Sequence, residues 1–234
     1  MSTRKIVLAF VLVLAMLFVS CDPDSSKPVA GTEYEDKKSK LVFVVDDNGE
    51  LSVAGPLEAK ESWECVIPNT YRGMKVTSIG QSAFTGCYGL VGITIPDTVN
   101  VIGNSAFEEC SAFVDVTIPN SVTIIDNSAF EDCSELKSIV IPDSVTIIGS
   151  HSFCYCSSLE DVTIGKSVSL IDEFAFNGTA VSSITIPESV ETIGEGAFQD
   201  CKSLTEIIIE KTKDSIDGAP WGAGKSVVIK WNED

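Results

Sequence analysis

Cysteine is the residue type in this chain with the most chemistry to offer, and its spacing decides what that chemistry is. The sequence contains eight cysteines and a single histidine. Cys87, Cys110, Cys133 and Cys156 recur at every twenty-third position, and Cys201 follows at twice that interval less one. Side chains repeated in stacked units point the same way about 4.8 Å apart, whereas a disulfide needs Cβ atoms roughly 3.8 Å apart and converging. The spacing therefore predicts a column of buried free thiols acting as small apolar residues. Cys65 falls at an inward strand position and joins that core. Cys154, in Phe153-Cys154-Tyr155-Cys156, has no place in the repeat and is expected to face solvent. His151 sits at a variable position, matched in other units by Ser105, Ser128, Phe174 and Gly196, and reads as a surface residue. No Gly-rich phosphate loop, His-based metal spacing or nucleophile motif appears, and the carboxylates vary between units instead of clustering. The sequence points to no catalytic residue, no metal and no cofactor, and so away from an enzyme.

The elements that must position these thiols follow the same interval. One unit reads Ile93-Thr94-Ile95-Pro96, Val99, Ile102-Gly103, Ala106-Phe107, Cys110 and Phe113, and two further units, from Val116 and Ile139, repeat it in register with the cysteines. A fourth, from Val162, loses one residue across Asn177-Gly178-Thr179-Ala180-Val181. A fifth spans Ile184 to Leu204, and an earlier unit reads backwards from Phe84 to Ile67. Units this short cannot bury their own apolar residues, so they must stack. The Ile-Thr-Ile triplets become strands of a parallel sheet, aliphatics inward and Thr outward at period two. Pro96, Pro119, Pro142 and Pro187 close the strands, because proline has no N–H to continue a ladder. The position after Ile102 holds Gly80, Gly103, Asp126, Gly149, Asp172 and Gly194 in successive units. Both types tolerate positive φ, which predicts a left-handed turn residue there. Phe84, Phe107, Phe130, Phe153, Phe176 and Phe198 should form the spine of the core. The fold class expected is a β-rich repeat solenoid.

The pattern Cys-x-x-Leu-x-x-Ile-x-Ile-Pro-x-x-Val-x-x-Ile-Gly-x-x-Ala-Phe is similar to the BspA-like leucine-rich repeats. Residues 67–80 look like that family's usual lead-in to the array, and the resemblance covers about residues 41–209. It implies a right-handed leucine-rich-repeat-type stack with a concave sheet, in a protein secreted or anchored at the surface. It also implies binding to host matrix proteins or other bacteria, without naming a ligand.

The ends depart from the repeat. Arg4 and Lys5 precede an apolar run from Ile6 to Val19, too short to cross a bilayer and typical of a signal peptide, assigned to residues 1–20. Ser20-Cys21 resembles a bacterial lipobox, so Cys21 is the expected lipidation site; Phe18 stands where the pattern prefers Leu, and plain secretion or an uncleaved anchor stay open. Several acyl chains would hold the protein on a membrane. Asp22, directly after that cysteine, argues under some bacterial sorting rules for inner-membrane retention. Residues 21–40, rich in Ser, Pro, Asp and Lys, read as a lipid-anchored flexible linker. Residues 41–64 read as an N-terminal cap hairpin turning at Asn48-Gly49. Residues 65–207 carry about six repeats, and residues 208–234 form a C-terminal cap in which Trp221 and Trp231 pack. The location expected is the bacterial cell envelope, surface-exposed or periplasmic. A net charge of −18 makes nucleic acid an unsuitable partner.

Two outward rows remain as candidates for binding. The concave face carries Thr94, Thr117, Val140, Thr163, Thr185 and Ile208, flanked by Asp115, Ser138, Asp161, Ser183 and Glu206. Extended solenoid sheets commonly bind macromolecules. The residue before each Ile-Gly pair gives a second row, in which Val101, Ile124, Ile147 and Leu170 form an apolar stripe, either exposed as a contact surface or tucked into the core. The function expected is that of an envelope lipoprotein binding a protein or other macromolecule, in adhesion or protein–protein interaction. The alternative is a structural subunit or scaffold of a bacterial envelope assembly.

Overall fold

The computed structural model describes residues 28–212 and 215–232. The leader and Cys21 lie outside the described residues, as does the first part of the stretch read as linker. The chain opens with strands β1 (Glu33–Asp36), β2 (Leu41–Val45), β3 (Leu51–Pro56), β4 (Trp63–Val66), β5 (Thr70–Tyr71) and β6 (Met74–Ile79). Each later turn lays down one strand on either side of the core. The front series is β7 (Leu90–Thr94), β9 (Asp115–Val116), β11 (Ser138–Val140), β13 (Asp161–Thr163), β15 (Ser183–Ile186) and β17 (Glu206–Ile209). The back series is β8 (Val101–Ile102), β10 (Ile124–Ile125), β12 (Ile147–Ile148), β14 (Leu170–Ile171) and β16 (Thr192–Ile193), and β18 (Val228–Trp231) completes the front. The described residues contain no helix.

These strands make a β-solenoid of about eight turns. Front strands pair in parallel as β4-β7-β9, β11-β13 and β15-β17-β18. The back sheet has ten strands, in the order β1-β2-β3-β6-β8-β10-β12-β14-β16, with β5 beside β6. Sequence reasoning anticipated the front sheet and missed the back one, whose short strands, two residues each from β8 onward, leave no alternation to see. Within residues 41–64, β2 and β3 form an antiparallel hairpin, its turn closed by the Asp46 carboxylate, which accepts from the N–H groups of Asn48 and Glu50. Strand β1 falls inside the stretch assigned to linker. It pairs antiparallel with β2, and Tyr34 packs edge-on against Tyr71 under the Arg72 guanidinium, 4.5 Å from its ring.

Front strands β7, β9, β11 and β15 each stop ahead of a proline. The N–H of Val99 donates to Pro96 O at 3.0 Å, and Val122, Val145 and Val190 repeat the bond on Pro119, Pro142 and Pro187. Proline, unable to extend the ladder, supplies only the carbonyl that closes the turn.

The left-handed residue expected after Ile102 is a correction. None of Gly80, Gly103, Asp126, Gly149, Asp172 or Gly194 has positive φ. Gly149 is glycine because a Cβ there would lie 2.7 Å from Asn127 N in the preceding turn. Where Asp126 stands instead, its carboxylate accepts from Asn127 N–H at 2.8 Å. The left-handed residues come later and twice per turn: Ser105 (φ 53°) and Glu109 (φ 58°), then Ser128 (φ 53°) and Asp132 (φ 57°), then His151 (φ 58°) and Tyr155 (φ 57°). They make successive N–H groups alternate in direction. Those of Ser105, Phe107 and Glu109 donate to Asn127, Ala129 and Glu131 of the next turn, while those of Ala106, Glu108 and Cys110 close onto their own turn. Every one of these N–H groups is satisfied, which offsets the left-handed strain of about 1–2 kcal/mol per residue.

Inside this frame the phenylalanines form one pile. Successive rings from Phe84 to Phe198 stack at centroid distances of 5.3, 5.1, 5.3, 5.4 and 6.0 Å, the longest falling at the step from Phe176 to Phe198, where the repeat is one residue short. All six rings are fully buried. The indole of Trp221, one repeat beyond Phe198, is buried as well, and the Trp221 carbonyl accepts from Phe198 N–H at 3.0 Å.

Candidate functional site

The thiols lie buried against the phenylalanine pile. Cys110 donates through Sγ to Phe84 O at 3.2 Å, and Cys133 to Phe107 O at 3.2 Å. Cys156 and Cys201 repeat the contact on Phe130 O and Phe176 O, both at 3.1 Å. Each thiol thus caps a carbonyl one turn back. Thr179 stands in the column between Cys156 and Cys201, its hydroxyl donating to Phe176 O at 2.9 Å. Desolvation by burial pushes Cys87 up to about 11 and Cys65 to about 12, and holds Cys110, Cys133, Cys156 and Cys201 above the usual thiol value. A thiol held above its usual value supplies little thiolate at neutral pH.

Cys154 is a second correction. It is only 1% exposed and lies beneath Asn177, whose amide donates to Sγ at 3.5 Å. Burial, then the Glu131 charge, raises this thiol to about 12. His151 is half-buried at one of the left-handed positions; its ring lies 5.0 Å from that of Phe174 and it contacts the Ser150 hydroxyl through Nδ1. Among the described residues no group of three or more His, Cys, Asp or Glu side chains could hold a metal ion.

What remains is a surface. On the front sheet, register places Thr94, Thr117, Val140, Thr163, Thr185 and Ile208 in one outward column. The first five are exposed and Ile208 is half-buried. Asp115, Ser138, Asp161, Ser183 and Glu206 form a parallel column two positions earlier, exposed except for half-buried Glu206. Both columns run further than the sequence reading took them. Glu64 and Val66 continue them on β4, and Val228 and Lys230 on β18. Alternation around Cys65, already read as inward, was the signal that could have found the first pair. Val66 and Val140 are each 63% exposed, high for aliphatic side chains. Lys230 forms an ion pair with Glu206.

The back stripe resolves between its two readings. Val101, Ile124, Ile147 and Leu170 are paired in register across β8, β10, β12 and β14, and each is half-buried. They are neither core nor a bare apolar patch.

Comparison with known proteins agrees with this architecture. The family model described as the BspA type leucine rich repeat region matches residues 63–169 and 123–219, with six copies. Among curated protein sequences no match is found. A leucine-rich cell surface protein from Faecalibacterium prausnitzii A2-165 is 30% identical, with a TM-score of 0.59, over 77% of this chain and 55% of its own. This chain therefore spans about half the length of that protein. A leucine-rich repeat protein from T. pallidum is 26% identical, with a TM-score of 0.60, over 86% and 83% of the two chains. The pneumococcal vaccine antigen PcpA shares the fold at a TM-score of 0.64 and 22% identity, over 78% of this chain and 51% of its own.

Proposed function

Because this chain belongs to the BspA-type leucine-rich repeat family, we propose that it is a cell-envelope lipoprotein whose front sheet binds a macromolecular partner. Cys21 would carry the lipid, and residues 22–32 would separate it from the solenoid. The observation that carries the binding role is the front face itself: eight strands, one per turn, present an unpartnered outward column rich in β-branched residues. Threonine and valine methyls exposed in a continuous row offer apolar area with little rotamer entropy to lose on association. The phenylalanine and cysteine columns are committed inward. Four of the thiols are capped by carbonyls, and no catalytic role is proposed for them.

Binding of the full-length protein to intact cells and to immobilised matrix proteins tests this, against a Thr117→Arg/Thr163→Arg variant. The variant should lose at least tenfold in affinity; equal binding by both proteins would place the contact elsewhere. Metabolic labelling with an alkyne fatty acid tests the anchor, with label expected on the wild type and lost in Cys21→Ser. The half-buried aliphatic stripe across β8 to β14 supports a second reading, a structural subunit of an envelope assembly. Cross-linking in cells separates the two, since a scaffold subunit should yield one stoichiometric bacterial partner.

A further inference from the structure

The front face carries its charge with a period of its own. In the column that begins at Glu64, carboxylates stand at Glu64, Asp115, Asp161 and Glu206, on strands β4, β9, β13 and β17. The rungs between them hold Gly92, Ser138 and Ser183, which are small and uncharged. Negative charge thus recurs on every second strand, about 9.6 Å apart along the solenoid at ~4.8 Å per strand. The first of these gaps is real space: beside Gly92 a depression of about 270 Å³ is lined by Glu64, Asp115, Thr94 and Thr117. Only Glu206 is paired, with Lys230; Lys137, one column away, forms no ion pair with the others among the described residues.

A partner that fits must present cations at the same interval, all on one side. Three regular backbones can be compared. In a β-strand, residues three apart are about 10 Å apart but face opposite ways. In an α-helix, residues seven apart share a face but rise roughly 10.5 Å, so four cations slip out of step by nearly 3 Å. A polyproline II segment has three residues per turn and rises about 3.1 Å per residue. Every third side chain then faces the same way at roughly 9.3 Å, which drifts by only about 1 Å across the four carboxylates.

We propose that the front face binds a cationic polyproline II segment bearing Lys or Arg at every third position. The basic side chains would meet Glu64, Asp115, Asp161 and Glu206. The segment's intervening residues would lie along Val66, Thr94, Thr117 and Val140, whose methyls and hydroxyls suit proline rings and unbonded backbone carbonyls. Such a segment is extended before it binds, so little ordering entropy opposes association. This deepens the reading of the front face as a binding surface and rests on it.

The probe is a fluorescein-labelled (Lys-Pro-Pro)5 peptide, with fluorescence anisotropy read on the full-length protein at low salt. A peptide of the same composition with its five lysines contiguous serves as control for attraction to the acidic body. The periodic peptide should bind at least tenfold tighter than the block peptide. Asp115→Asn/Asp161→Asn should abolish that preference, while Glu173→Gln/Glu195→Gln, which removes the same charge from exposed residues elsewhere, should retain it. Equal binding of the two peptides, or a preference that survives Asp115→Asn/Asp161→Asn, overturns the proposal. If the peptides fail while Thr117→Arg/Thr163→Arg still blocks binding to cells or matrix, the front face keeps its role and only the partner chemistry is wrong. If both fail, the face itself is not the binding surface.

Discussion

The phenylalanine column and the front column that begins at Glu64 run through the same turns, yet one keeps its residue type and the other changes it at every step. Phe84 to Phe198 are six identical residues. The column from Glu64 reads Glu, Gly, Asp, Ser, Asp, Ser, Glu and Val. Translation by one turn superimposes both, so geometry does not explain the difference. Packing does. A ring stacked between two rings has no slack, because interiors are packed as densely as organic crystals. A side chain projecting from the front sheet has a rung on either side and open water above, and type is free to follow function.

Four measurements bear on this contrast. The largest effect should come from pH. The core column carries thiols whose folded pKa is raised by burial, with Cys87 at about 11 and Cys65 at about 12, whereas an unfolded thiol titrates near 8.5. Above that value the unfolded chain has lost protons the native chain keeps, so stability is full below pH ~8.5 and falls as pH rises towards the folded values. At pH 10 the loss is about 2 kcal/mol for each of Cys65 and Cys87, and the urea midpoint should drop steeply between pH 8.5 and 11. A flat profile would show that thiolates are tolerated inside. Next, Phe130→Ala should cost on the order of 3–5 kcal/mol in urea unfolding; less than about 1 kcal/mol would mean the pile is not continuous. Gly149→Ala forces a Cβ to 2.7 Å from Asn127 N and should cost about 1–3 kcal/mol; a neutral result would mean the two turns can separate. Smallest is the front: Thr117→Ala should shift stability by no more than about 0.5 kcal/mol, and a larger loss would make that column structural.

Legibility in the sequence followed the same division. The phenylalanine and cysteine columns could be read because identical residues at a fixed interval leave one packing solution. The front strands could be read because Ile-Thr-Ile alternates. The Ile-Gly segment could not: Val101-Ile102 is a single apolar pair, which fits core or sheet equally well. The left-handed positions were hidden because Ser105, Glu109 and His151 owe their conformation to bonds with the next turn, not to their own preference. Cys154 was misplaced for a related reason. It has no counterpart among the repeated cysteines, yet the N–H directions around it are set by left-handed His151 and Tyr155, and its side chain turns inward beneath Asn177. Of the front face, the central rungs were visible and the first was not, because the step from Val66 to Thr94 is longer than the repeat and breaks the count.

The ladder around the Ala-Phe segments points one way throughout: Ser105, Ser128, His151 and Phe174 each donate to the turn that follows. A polymer with such uniform polarity has no preferred length, since any turn can receive any other. Splicing a second copy of residues 116–138 directly after Ser138 should therefore yield a folded protein longer by about 4.8 Å. Reach would then be a heritable quantity, altered by duplicating or deleting a single block of coding sequence while the joints at either side stay as they are.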